Sequence, residues 1–197
     1  MNSYPIFLHL ENFNCLVVGG GNVAMRKVKG LLEAGSRPCI IAPEICADLQ
    51  AIVENNQLVW QQRKFEQGDC APFQLVIAAT NNSEVNKLVS DEALKAKLLV
   101  NNVSDPEHSN FYVPATIRRS PLEFAIGTSG EVPYLSRKLK QLFETKLAHE
   151  ISDNIDEMKN CRASIIERAN GDELVKRQLL ETELEPLVEQ FLKEFLK

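Results

Sequence analysis

Six residues near the start of the chain, Gly19-Gly20-Gly21-Asn22-Val23-Ala24, have the types and spacing that hold a pyrophosphate. A G-x-G-x-x-G/A pattern uses its first glycine for a tight turn and its second to let backbone approach the phosphates. A small third residue lets the following helix pack close to its strand. Gly19, Gly21 and Ala24 stand at those positions. The pattern follows the apolar run Cys15–Val18 and opens a helical one, the context that gives the motif meaning. Asn22 and Val23 then lie in the first helical turn, where free N–H groups and the positive dipole end favour an anion. The competing reading is a tight turn with no ligand.

Other polar residues fall where such a site would continue. Pro43-Glu44 follows the second predicted strand, where an acid on the adenosine ribose is expected. A carboxylate there repels a 2′-phosphate, so Glu44 favours NAD over NADP; alternatively it is only a first-turn acid on its helix. Thr80-Asn81-Asn82 follows the fourth strand, at the edge where open α/β sheets bind ligands. These residues either lie along a cofactor or form a polar turn that caps the next helix. The loop Asn101-Asn102-Val103-Ser104-Asp105-Pro106 leaves the fifth strand at the same edge, with His108 just beyond. Its one carboxylate, Asp105, is the candidate base, with a turn-ordering role as the alternative. His9, His108 and His149 have no ligand spacing, and three isolated histidines are more often structural. No HExxH, GxSxG or P-loop pattern occurs, and no metal site is expected.

These residues need a scaffold that brings strand ends together. Strand signals at Cys15–Val18, Pro38–Ala42, Leu58–Gln61, Leu75–Ala79 and Leu98–Asn101 alternate with helical ones at 22–34, 45–53 and 83–97. Gly35 closes the first helix, and Ser83 is a plausible N-cap for the third. Short links in a β-α-β-α order predict a parallel sheet covered on both faces. After Asp105-Pro106 the pattern changes. Phe111–Ile117 and Leu122–Ile126 read as two strands around an Arg118-Arg119-Ser120-Pro121 turn, and 127–130 as a glycine loop. From Tyr134 the chain reads as helix, broken at Asn170-Gly171. Leu180, Leu184, Leu187, Phe191 and Phe195 make one apolar stripe, for packing within the chain or for a subunit interface.

Composition narrows the function classes. The 197 residues are 44% apolar and 25% charged, the balance of a globular protein. No apolar run approaches the roughly 18 residues of a membrane span, and no Lys or Arg precedes Glu11 to suggest a signal peptide. Five cysteines without a CxxC pair read as buried apolar groups in a reducing compartment, and the cytoplasm is the expected location. A net charge of −5 argues against nucleic acid, yet residues 113–149 hold 6 bases against 3 acids. That basic segment is either a site for an anionic partner or a solvated helix face.

The run Pro5-Ile6-Phe7, then Cys15 through Lys27, resembles the start of precorrin-2 dehydrogenases, including the N-terminal half of bacterial sirohaem synthase. The similarity continues through Leu31–Gly35, Ala78–Asn81 with Val85-Asn86, Phe111 with Pro114-Ala115, Arg119–Leu122 and the glycine loop ending at Pro133. It covers about residues 3–145. The resemblance implies an NAD-binding Rossmann domain over 1–113, a small strand-containing dimerisation region over 114–150 and a helical C-terminal domain over 151–197. It also implies a cytoplasmic homodimer that oxidises precorrin-2 to sirohydrochlorin with NAD, on the way to sirohaem or cobalamin. Some members also insert Fe²⁺. A substrate rich in carboxylates gives the basic segment a purpose.

Two departures from the family pattern stand out. The fifth-strand loop commonly reads Asn-Val-Val-Asp, with its Asp proposed as catalytic; a gapless match puts Ser104 there and Asp105 one residue later. The glycine loop has Gly127 and Val132 where serines are usual. Serine is no adequate base at neutral pH, so the departures bear on catalysis, and on chelation most of all. The alternatives are a bifunctional dehydrogenase–ferrochelatase and a non-catalytic module that senses NAD.

Overall fold

The computed structural model describes residues 3–119, 122–128, 130–146 and 151–195. The chain divides into two units, one spanning Tyr4–Val113 and the other comprising Met1–Ser3 and Pro114–Lys197.

In the first unit, β1 (Cys15–Val18), β2 (Cys39–Ile41), β3 (Trp60–Gln61), β4 (Leu75–Ala78) and β5 (Leu99–Asn102) form one parallel sheet in the order β3-β2-β1-β4-β5. This is a Rossmann-type sheet, with its reversal of strand order between β1 and β4. Side chains alternate across it. Val17, Ile40 and Ile77 join Ala24, Val28 and Leu31 of α1 (Asn22–Glu33) and Leu49 and Val53 of α2 (Ala47–Asn56) in one core. Leu16, Val18, Ile41, Val76 and Val100 join Val89 and Ala93 of α3 (Ser83–Lys95) in the other. Each Val, Leu or Ile among them contributes about 1.5–3 kcal/mol on burial, which fixes the register and so the position of every strand end.

The helix ends follow local chemistry. Gly35, at φ +83°, ends α1: its N–H reaches Leu32 O and that of Ser36 reaches Leu31 O. That is the pairing of a Schellman cap. The N-cap of α3 is Asn82 rather than Ser83. Its Oδ1 accepts from the N–H groups of Glu84 and Val85, and the amide oxygen two and three residues ahead satisfies two donors at once.

The second unit starts with an antiparallel pair, β6 (Ala115–Arg119) and β7 (Leu122–Ile126). The pair begins four residues later than the sequence suggests. Pro114 has no N–H to donate, and Asn110 and Phe111 instead bond to β5: Asn110 N–H to Val100 O, Asn110 Nδ2 to Leu98 O, and Phe111 O from Asn101 Nδ2. Arg118 and Arg119, expected in a turn, extend β6, and Arg118 lies 3.3 Å from Glu123 across the pair. Ser120 and Pro121 of that expected turn, and Ser129 of the glycine loop, lie outside the described residues.

Ile117, fully buried, gathers Leu122, Phe124, Ile126, Phe143 of α4 (Pro133–Lys146), Ile155 of α5 (Ile151–Ala169) and Phe191. Phe124 and Phe143 stack at 5.6 Å between centroids. Asn170 and Gly171 both take positive φ and break the helix as expected; Asp172 then caps α6 (Glu173–Leu179). A π-helical turn at Leu180–Leu184 leads into α7 (Glu185–Phe195). Phe191 of the apolar stripe therefore packs within its own unit. The expected boundary at 150/151 and His149 fall at residues 147–150, outside the described set. No helix among the described residues is long and apolar enough to cross a membrane.

Candidate functional site

A cavity of about 640 Å³ opens at the carboxyl ends of β1, β2 and β4, lined by the loops that follow them. Gly19, Gly21, Pro43, Glu44, Thr80 and Asn81 all border it. The glycines do different work. Gly19 sits at φ +130°, and a Cβ there would be 2.3 Å from Ala79 O. A Cβ on Gly20 would stand 1.9 Å from Glu44 O, and Gly20 O accepts the Cys46 N–H. Gly20, which the motif leaves as a free position, is thus the residue that seats the β2–α2 loop against the turn. A Cβ on Gly21 would meet no atom within 4 Å. Gly21 also borders the cavity, so this open space is where a pyrophosphate would need it.

Asn22 and Val23 are exposed in the first turn of α1 and do not border the cavity with their side chains. No side chain caps that helix and its first turn carries no acid. Its N–H groups and dipole end therefore remain available for an anion. An uncapped helix end, a glycine with open space and a carboxylate at the end of β2 fit a dinucleotide.

Two residues that the sequence did not single out, Lys64 and Phe65, help complete the wall. Lys64 and Phe65 follow β3, and Val85 comes from α3. Lys64 is an exposed cation in the same cavity as Glu44. The strand signal at Leu58–Gln61 locates β3, but no motif marks the loop after it. That loop is held by Arg63, whose guanidinium takes both Asp69 oxygens at 2.7 Å, while Glu92 of α3 accepts the N–H groups of Gly68 and Cys70.

Asn86, buried at 1% exposure, links two strand-end loops. Its Oδ1 accepts from Thr80 N–H at 3.0 Å and from Thr80 Oγ1 at 2.7 Å; its Nδ2 donates to Thr80 O and to Ser104 Oγ, both at 3.0 Å. Ser104 Oγ passes its hydrogen to Asn102 Oδ1, and Asn102 Nδ2 donates to Ser90 Oγ. Ser104 is thus a bridge in a buried amide–hydroxyl network.

Asp105 does not border the cavity. It caps a one-turn 3₁₀ helix, Pro106–His108, with Oδ1 accepting the Glu107 N–H at 3.0 Å and Oδ2 2.7 Å from His108 Nδ1. Desolvation works to raise its pKa, but the hydrogen bonds from the Glu107 N–H and from His108 carry it below the usual carboxylate range. Such a carboxylate stays ionised and is a weaker base than a free one. Cys15 and Cys70 are buried, with thiols pushed up by desolvation, so they are inert fillers. Among the described residues no group of three His, Cys, Asp or Glu could hold a metal ion.

Residues 6–115 match the family model described as "Putative NAD(P)-binding". Siroheme synthase of Acinetobacter baylyi is 41% identical over 150 residues, 76% of this chain and 33% of that protein. Siroheme synthase of Vesicomyosocius okutanii is 35% identical over 173 residues, 85% of this chain and 37% of that protein. A solved structure, "SirC, precorrin-2 dehydrogenase", superposes with a TM-score of 0.76 at 28% identity, covering 97% of this chain and all of that one.

The chain belongs to the NAD(P)-binding family of siroheme synthases and precorrin-2 dehydrogenases. It spans about a third of the length of the curated siroheme synthases it matches. The parallel sheet, the small antiparallel pair and the helical tail are the architecture the family resemblance implies. The cavity at the β1/β4 reversal is the place for a nicotinamide dinucleotide in such a sheet.

Proposed function

We propose that this protein oxidises precorrin-2 to sirohydrochlorin, with NAD⁺ as the preferred acceptor and the homodimer as the working form. The observation that carries this reading is the likeness to a precorrin-2 dehydrogenase over nearly the whole chain, at an identity of 28%. The N–H groups of Gly21, Asn22 and Val23 bind the pyrophosphate. Glu44, beside Pro43, accepts hydrogen bonds from the adenosine ribose hydroxyls and disfavours a 2′-phosphate. Thr80 and Asn81 flank the bound dinucleotide, and Thr80 is kept in place by Asn86. NAD⁺ supplies the acceptor for the electron pair; the protein's own task is to orient the ring and take up a proton. We place proton uptake in the loop after β5, around Asp105. The bases of segment 113–149 give the substrate's carboxylates a counter-charge.

The test is anaerobic incubation with precorrin-2 and NAD⁺ or NADP⁺, followed by absorbance. Sirohydrochlorin formed faster with NAD⁺ supports the reading. Cofactor binding without turnover would instead favour a nucleotide-sensing module. Adding Fe²⁺ or Co²⁺ to the product reads out metal insertion separately.

A further inference from the structure

The pairing of Asp105 with His108 bears on which atom takes the proton. An ionised carboxylate only accepts hydrogen bonds, so the 2.7 Å contact from Asp105 Oδ2 requires the hydrogen to sit on His108 Nδ1. With Nδ1 committed, neutral His108 presents the lone pair of Nε2, which has no hydrogen-bond partner among the described residues. The side chain is 30% exposed, so that nitrogen belongs to a partly desolvated but reachable group. This is the arrangement in which a carboxylate selects the imidazole tautomer and steadies the cation formed on proton uptake.

The pair is rigidly seated. Asp105 Oδ1 holds the Glu107 N–H, the Ser109 hydroxyl lies 3.2 Å from Asp105 O, and Ser109 Oγ accepts the Asn102 N–H at 2.9 Å. These contacts close the segment on both sides of the 3₁₀ turn. It leaves β5 at the carboxyl edge, beside β4, and Ser104 and Asn86 tie it to Thr80 in the cavity wall. In a sheet of this order, that edge is where bound ligand meets the protein's reacting groups.

We propose that His108, through Nε2, is the residue that accepts the proton in precorrin-2 oxidation, and that Asp105 is its positioning residue. The inference rests on the dehydrogenase reading above. In the step, a ring C–H bond breaks and its electron pair and hydrogen pass together to NAD⁺. A second hydrogen leaves the macrocycle as a proton and bonds to His108 Nε2, then goes to solvent. Substrate loses two electrons and two hydrogens in all, as one hydride and one proton; NAD⁺ becomes NADH.

The experiment compares wild type, His108→Ala, His108→Gln and Asp105→Asn for turnover of precorrin-2, NAD⁺ affinity, melting temperature and the ¹⁵N spectrum of the imidazoles. Both His108 variants should lose about 10²-fold or more in turnover, with NAD⁺ affinity and melting temperature nearly unchanged, and added imidazole should restore part of the rate of His108→Ala. The resonances missing from His108→Gln should report an Nδ1–H imidazole in wild type and lose that character in Asp105→Asn. Wild-type turnover matched by His108→Ala, or a His108 ring protonated at Nε2, overturns the proposal alone. Failure of wild type to oxidise precorrin-2 overturns the dehydrogenase reading and the proposal with it.

Discussion

Asn86 Nδ2 donates to Ser104 Oγ at 3.0 Å, joining the first turns of α3 to the loop that leaves β5. The same amide grips Thr80 through its backbone and its hydroxyl. One buried side chain thus sets the spacing between a cavity-lining turn and the segment that carries Asp105. Replacing it tests both the fold and the site. Asn86→Leu leaves Thr80 N–H, Thr80 O and Ser104 Oγ without that partner, and a buried orphan costs about 1–3 kcal/mol. A lower denaturant midpoint and weaker dinucleotide binding are expected, measured by chemical unfolding and cofactor titration. Ser104→Ala removes one bridge and should cost less on both counts.

Gly20 and Gly21 can be separated by substitution. Gly20→Ala forces a Cβ against Glu44 O, and relief of such overpacking typically costs about 1–3 kcal/mol. The melting temperature should fall, and dinucleotide affinity with it, because the loop carrying Pro43 and Glu44 must move. A Cβ at position 21 meets no atom within 4 Å, so Gly21→Asp should melt close to wild type, yet its carboxylate would occupy and repel the pyrophosphate position. Unchanged NAD⁺ affinity in Gly21→Asp would show that this turn holds no phosphate.

Cofactor choice reads out Glu44 against Lys64, opposite charges in one cavity. NAD⁺ should bind more tightly than NADP⁺, and Glu44→Ala should narrow the difference by improving NADP⁺ binding. Isothermal titration with each nucleotide measures this directly. Tighter NADP⁺ binding by the unaltered protein would assign the dominant charge to Lys64 instead.

Acid stability follows from Asp69. The bidentate hydrogen bonds from Arg63 hold its carboxyl below the ordinary carboxylate range, against the opposing effect of desolvation. A depressed folded-state pKa gives stability that is fully present above the unfolded value, about 3.9, and is lost as pH falls through the folded one. Asp69→Asn should therefore be less stable than wild type near neutrality. The gap in denaturant midpoint should close as pH drops below about 4. The loop between Arg63 and Asp69 contains Lys64 and Phe65, so dinucleotide affinity should weaken in the same variant.

The five-stranded parallel sheet, the glycine turn after β1 and the placement of Glu44 and Thr80 at strand ends were legible in the sequence. Each rests on local signals: apolar runs, helical periodicity and glycine at a fixed offset from a strand. Such signals act over a few residues, which is why Cys15–Val18 and Gly35 read correctly without knowledge of their neighbours. Tertiary structure decided the rest. Gly20 is indispensable because the Glu44 carbonyl, 24 residues on, packs against it. Lys64 and Phe65 reach the cavity because β3 pairs with β2. Asn86 and Ser104 meet because α3 folds back over the sheet, and Asp105 and His108 because a single 3₁₀ turn brings residues three apart into contact. Sequence patterns encode which way a residue faces along its own element. Contacts between residues on different elements arise only when the strands pair and the helices pack, and those contacts set the conformation and charge of the side chains around the site.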